Sequence, residues 1–523
     1  MPHRRRSGRH GGNRALTATP ALGLVLALIL ALLSACSGDG EGTSGSAAPA
    51  DAGTAGAGPS AGSGRSARPA GPAADLATEL SGGNGPFTAA GTPADLGSAG
   101  YTQREVAATG TASSYRAVGA LGADGRWTFA PDTSAPYRTR VLVRRPTAAE
   151  RFSGTVIVEW LNVSVGLDSD AEWTTLHEEI TRRGDVWVGV SAQRIGVQGG
   201  PVLVPVTGAA GLAGKGLTTI DPARYSTLNH PGDGFSYDIL TQVARAVRSG
   251  AGLDGLRPQR LIAAGESQSA YALVTYHNGV QPLTRAFDGF LVHSRGATGL
   301  GLVGPGENAD LVSVLNDTPT IFRTDLDAPV LDVQTESDLT GVLNSARARQ
   351  PDNPHLRLWE VAGTAHADTR LLGPAAAVLD CGVPINNGPL HFVAKAALRA
   401  LTVWLTTGAQ PPVAPRIEVA AGSEPHITRD ADGIAVGGIR TPPVDVPVSA
   451  LSGAGGPNTS TICALAGSSR PFTSSRLGEL YSSAADYRHR YDESAKSAVN
   501  SGFILTADLE SLRKATDTTV IPS

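Results

Sequence analysis

Leu261-Ile262-Ala263-Ala264-Gly265-Glu266-Ser267-Gln268-Ser269-Ala270-Tyr271-Ala272-Leu273-Val274 joins an apolar β-type run directly to a helical one, with Ser267 on the junction. A sharp strand-to-helix turn strains the serine backbone and lifts its hydroxyl above the sheet, the presentation a nucleophile needs. The residues two before and two after it must be small, or their side chains collide. Gly265 and Ser269 meet that demand, although Ser269 stands where the usual pattern has Gly. In a chain with 64 Gly the short pattern recurs easily, so its surroundings have to give it meaning.

Those surroundings are strands alternating with helices. Thr102 to Thr111 and Tyr137 to Arg144 read as opening strands, followed by Thr155 to Leu161, Val186 to Ser191, Arg260 to Ala264, Phe287 to His293, Val330 to Gln334 and Leu356 to Val361. The later runs are almost wholly apolar, as strands covered on both faces are. Leu240, Val243, Ala244 and Val247 give the helix before the Ser267 strand one apolar face. The expected fold class is therefore α/β, a mostly parallel eight-stranded sheet flanked by helices. Two long connections, Gly196 to Gly234 and Ala297 to Asp327, are expected to serve as lids, because loops of that length in a compact domain usually serve a site. A helix is expected over Phe392 to Leu405, and from about residue 409 to 523 a C-terminal extension caps the domain.

A serine hydroxyl needs a base to take its proton, and the base needs a carboxylate to hold its tautomer. Thr335-Glu336-Ser337-Asp338 follows the penultimate strand and Gly363-Thr364-Ala365-His366 follows the last one. Ser267, Asp338 and His366 thus each fall in a loop directly after a strand, where the three side chains can converge. Glu336 is the competing acid, while Asp368 follows His366 too closely to orient it. Oxyanion donors are expected from the N–H of Gln268 and from Leu161-Asn162-Val163, with Asn162 the choice. Gln193-Arg194 and His293-Ser294-Arg295 lie at the same end of the strands, where loop hydrogen bonding competes with a substrate-binding role. No cluster has metal-ligand spacing and no early Gly-rich loop suggests a nucleotide, so neither metal nor cofactor is expected.

The N-terminus carries Arg4, Arg5, Arg6, Arg9 and Arg14, then the apolar run Ala21 to Leu33, then Leu33-Ser34-Ala35-Cys36. That is the pattern of an export signal over residues 1–35 with Cys36 as the lipid-modified anchor of a lipoprotein. Residues 36–75, mostly Gly, Ala, Ser and Pro, read as a disordered tether, leaving 76–523 as the folded domain. Outside the cytoplasm disulfides persist, so the remaining Cys381 and Cys463 are expected to pair. With 43 Lys and Arg against 47 Asp and Glu, the net charge of −4 gives no footprint for nucleic acid. The expected membrane contact is the N-terminal lipid alone.

The order Ser, Asp, His resembles that of the α/β-hydrolase superfamily. Within it the chain is similar to the alpha/beta hydrolase domain proteins of actinobacteria and related bacteria. The likeness is carried by Val158-Glu159-Trp160-Leu161-Asn162-Val163, Gly189-Val190-Ser191-Ala192-Gln193, Phe235-Ser236-Tyr237-Asp238, the Ser267 junction, Thr335-Glu336-Ser337-Asp338, Cys381 with Pro384-Ile385-Asn386-Asn387-Gly388-Pro389, and Gly437-Gly438-Ile439-Arg440-Thr441-Pro442. The resemblance implies the fold and serine-hydrolase chemistry, and names no substrate. The expectation is a lipid-anchored extracytoplasmic hydrolase acting on a small or polymeric carboxylic ester, with amidase or peptidase activity as the variant within enzymes. The rivals are a solute-binding lipoprotein and a surface module without catalysis.

Overall fold

A computed structural model describes residues 68–521, apart from 90–93, 207–208, 210, 316, 421 and 423–424. The export signal, Cys36 and most of the expected tether lie outside the described residues. The end of that tether does not remain free: Arg68 pairs with Asp288, the Ala74 N–H donates to Gln242 O at 3.0 Å, and strand β1 opens at Asp75. The folded body therefore reaches back past residue 76.

One nine-stranded sheet organises it, in the order β1-β2-β3-β5-β4-β6-β7-β8-β9. The strands are β1 (Asp75–Glu79), β2 (Tyr101–Ala117), β3 (Phe129–Pro146), β4 (Thr155–Trp160), β5 (Val186–Val190), β6 (Arg260–Glu266), β7 (Gly289–His293), β8 (Val330–Thr335) and β9 (Leu356–Val361). The first three run antiparallel to their neighbours, and β4 to β9 are mutually parallel. All eight expected strands are present; the ninth, β1, adds an edge.

Alternate residues along the parallel strands point to opposite faces, and two apolar cores result. On one face Val156, Val158, Leu261 and Ala263 pack with Leu240, Val243 and Val247 of one helix and Ala270, Leu273 and Val274 of another. On the other face Ile157, Ile262, Leu331 and Trp359 pack with Trp173, Leu176 and Ile180 and with Val393, Leu398 and Leu401. The helices are α1 (Ala171–Arg183), α2 (Ser236–Arg248), α3 (Gln268–Thr275) and α4 (Leu390–Thr407). Helix α4 outruns the expected Phe392 to Leu405 by a few residues and stops at Gly408, whose φ of 80° turns the chain out of the helix.

The two long connections are tied to each other. Gly306 N–H donates to Pro231 O at 2.9 Å, Asp233 N–H to Glu307 O at 2.8 Å, and the Asp233 carboxylate accepts Ala309 N–H at 2.8 Å. The C-terminal extension contributes a two-stranded ribbon, Ser449–Ser452 with Ser468–Pro471, and a disulfide joins Cys381 to Cys463 across a Cα separation of 5.3 Å. Among the described residues no helix is long and apolar enough to cross a membrane.

Candidate active site

Ser267 stands between the last residue of β6 and the first of α3 with φ 57° and ψ −122°, a conformation that L-residues avoid. The cost is held in place by its neighbours: its N–H donates to His293 O on β7 at 3.0 Å, and its carbonyl accepts the Tyr271 N–H at 3.1 Å. A Cβ on Gly265 would come within 3.1–3.2 Å of Leu273 and of the Ser269 backbone, which is why the elbow demands a small residue there. Ser269 is tolerated at the second small position, with its hydroxyl folded back onto Glu266 O at 2.8 Å.

Loops after β8 and β9 bring the other two residues to this serine. Ser267 Oγ lies 2.8 Å from His366 Nε2, and His366 Nδ1 lies 2.8 Å from Asp338 Oδ1. Asp338 Oδ2 accepts the Thr335 N–H at 2.6 Å, so both carboxylate oxygens are fixed. Burial opposes the charge on Asp338, but the adjacent His366 and the hydrogen bonds outweigh it and hold the carboxyl below its ordinary value. Burial likewise opposes the charge on His366, and the carboxylates of Glu266 and Asp338 more than compensate, raising the imidazole above 6.5.

Glu336 does other work. Its Oε2 accepts the Gly363 N–H at 2.9 Å, and its Oε1 accepts Gly453 N–H at 2.9 Å and Arg429 at 2.5 Å. It therefore fastens the loop bearing His366 to the C-terminal extension. Asn386 does the same from the other side, donating to Gly363 O at 3.1 Å, Ser452 O at 3.1 Å and Ser468 O at 3.3 Å. Ser337 Oγ accepts the His366 N–H at 2.8 Å. Asp368 caps the short helix Thr369–Leu372 through Leu371 N–H at 2.8 Å.

Asn162 does not suit the donor role expected of it. Its N–H is committed to Ser169 O at 3.0 Å, and its side-chain amide donates to Glu266 O at 2.9 Å and Glu266 Oε2 at 3.1 Å. The next residue is different: among the described residues no acceptor faces the Val163 N–H. Gln268 is the first residue of α3, where backbone N–H groups lack intrahelical acceptors. Its side chain donates to Gln193 Oε1 at 2.7 Å, and Gln193 also accepts Trp160 Nε1–H at 3.0 Å, so Gln193 is bound within the loops. Arg295 is occupied as well, by Asp332 at 2.7 Å and by three carbonyls, and Arg194 donates its N–H to Asp233 at 2.7 Å.

No sequence signal points to Glu266, which occupies the free position of the elbow pattern. Its Oε1 lies 3.2 Å from His366 Nε2, and burial pushes its carboxyl up to about 7. Beyond it His293 Nδ1 lies 3.6 Å from Glu172 Oε1, and the surrounding carboxylates outweigh burial to raise this histidine to about 9. A cleft of ≈ 500 Å³ is lined by Ser337, His426, Arg429 and Gly453 among others and includes none of Ser267, Asp338 and His366.

This arrangement can deprotonate a hydroxyl and stabilise the cation that results. Among solved structures, similarity is found to fungal esterases of Rhizomucor miehei (13% identity, 57% of this chain and 86% of that one, TM-score 0.30). It extends to an α/β serine hydrolase without a lid from Xanthomonas campestris (14%, 57% and 97%, 0.28) and a thermostable esterase from Pseudomonas putida (14%, 60% and 86%, 0.30). These likenesses are faint. No curated protein matches the sequence. The model of a family described as alpha/beta hydrolase domain, in contrast, matches residues 68–514, nearly the whole described body. The chain belongs to that alpha/beta hydrolase family.

Proposed function

We propose that the protein is a serine hydrolase of carboxylic esters, exported and held at the membrane through a lipid on Cys36. The observation that carries the chemistry is the continuous line of contacts Ser267–His366–Asp338, both links 2.8 Å long. Ser267 Oγ attacks the acyl carbon as its proton passes to His366 Nε2, and Asp338 fixes the tautomer and balances the imidazolium. The N–H groups of Gln268 and Val163 receive the oxyanion, Val163 replacing Asn162 because its N–H is uncommitted. The imidazolium then protonates the departing alcohol, leaving an acyl-enzyme that water resolves with the same histidine as base.

A solute-binding lipoprotein would need two similar lobes and a hinge, and would gain nothing from a strained serine. The Ser267→Ala variant is expected to lose turnover of a short acyl ester by at least about a thousandfold while keeping its unfolding transition. Turnover within tenfold of the parent would sink the assignment.

A further inference from the structure

Several polar atoms around the elbow are buried without a hydrogen bond, on Glu172, His293, Ser294, Gln268 and Glu266. Of these residues, Glu266 is the one set against the catalytic imidazole. Its Oε2 is held by the Asn162 amide at 3.1 Å, yet its Oε1 is buried without a hydrogen bond, 3.2 Å from His366 Nε2. That nitrogen aims its own bond at Ser267 Oγ, 2.8 Å away, so Glu266 sits beside the proton-transfer line rather than in it. A buried carboxylate with one oxygen lacking a hydrogen bond is costly unless a positive charge forms beside it.

We propose that Glu266 is a second carboxylate for His366, flanking the Nε2 edge as Asp338 flanks Nδ1, and that together they hold the imidazolium formed when Ser267 attacks. The proposal rests on the reading of Ser267 as nucleophile. In the step concerned the Oγ–H bond breaks, its proton goes to Nε2, the Oγ–C bond forms, and the carbonyl electron pair moves onto the carbonyl oxygen. Glu266 takes no proton and touches no substrate, so it is a positioning residue. The clamp from Asn162 orients it, which gives that side chain a purpose in place of the oxyanion role.

Five titratable groups meet here. His366 and Asp338 come from the loops after β9 and β8, His293 from the end of β7, Glu172 from the first turn of α1, and Glu266 itself from the end of β6. His293, raised to about 9 by the carboxylates around it, is a cation at neutral pH and supports the ionised form of Glu266. Burial nonetheless brings Glu266 up to about 7, so its charge fades as the medium becomes acidic. His293 lies 3.6 Å from Glu172, and the catalytic imidazole of His366 lies between two carboxyl groups, Glu266 at 3.2 Å and Asp338 at 2.8 Å.

The test compares kcat and kcat/KM across pH for the full enzyme and its Glu266→Gln and Glu266→Asp variants, using a neutral nitrophenyl ester. Glutamine keeps the shape and can still pair with Asn162, but loses the charge. Its acid limb is expected roughly one pH unit lower, because an opposite charge at this range shifts a pKa by about that much or more. The kcat plateau is expected roughly tenfold lower with KM little changed, the equivalent of about one pH unit in the imidazolium's stability. Aspartate draws the carboxylate back, so its limb moves the same way by less. A merely structural role would lower activity without moving the limb. An acid limb unmoved in whichever variant folds overturns the proposal, even if Ser267 of the parent reacts with a fluorophosphonate. If the parent's Ser267 does not react, the enzyme reading falls together with it.

Discussion

Asp338 and Glu336 leave the same strand two residues apart and do different things, because the turn after β8 aims one at His366 and the other at the C-terminal extension. Asp338→Asn is expected to lower kcat by roughly ten-thousandfold, since the amide holds the wrong tautomer of the imidazole. Glu336→Gln is expected to cost less than about tenfold in kcat and to act through stability, its Arg429 partner losing its counter-charge. Steady-state kinetics with denaturant unfolding separates the two, and the reverse ranking would make Glu336 the triad acid. Sequence order sufficed to bring Ser267, Asp338 and His366 into one group. It could not reveal which N–H groups stay unpaired: Asn162 and Val163 are neighbours, and only the return of the chain at Ser169 distinguishes them. Glu266 escaped for a related reason, since the elbow pattern constrains its neighbours and leaves its own position open.

At the level of elements, strong apolar runs were legible and weak ones were not. Asp75-Leu-Ala-Thr-Glu79 has a single large apolar side chain and forms an edge strand with only Leu76 buried, so no alternating pattern advertises it. Strands β2 and β3 extend well beyond the expected segments into an antiparallel ribbon containing Pro131 and Pro136, and proline argues against strand in a sequence reading. The loop bearing His366 is a second case, because its support comes from far along the chain. Gly363 turns with φ 69°, and a Cβ there would lie 2.5 Å from Val444, so Gly363→Ala is expected to displace the loop. Asn386→Ala leaves three buried carbonyls without their donor. The expected cost is about 1–3 kcal/mol in denaturant unfolding, with a fall in kcat and little change in KM. An unchanged kcat would mean that the extension does not position the histidine.

Across the whole molecule, the extension and the sheet behave as one unit because Glu336, Asn386 and the Cys381–Cys463 disulfide bind them together. The bridge closes a loop spanning a sequence separation of 82. Reduction is expected to cost about 2–4 kcal/mol, read as a lower midpoint in denaturant with the Cys463→Ser variant as control. Stability should also depend on pH in a definite sense. His293 in the folded state titrates near 9, above its ordinary 6.5, and Glu266 near 7 rather than 4.5. The folded chain therefore holds protons that the unfolded chain has released, and their contribution is lost as pH rises through those values. The melting temperature should accordingly be lower at about pH 9 than at about pH 6.5, and a rise across that interval would contradict the raised values of His293 and Glu266. The catalytic claim itself is tested most directly by treating the intact protein with a fluorophosphonate and locating the adduct by mass spectrometry. A single adduct on Ser267 that is lost in the His366→Ala variant is the expected result; an unmodified Ser267, or labelling that survives without His366, would contradict it.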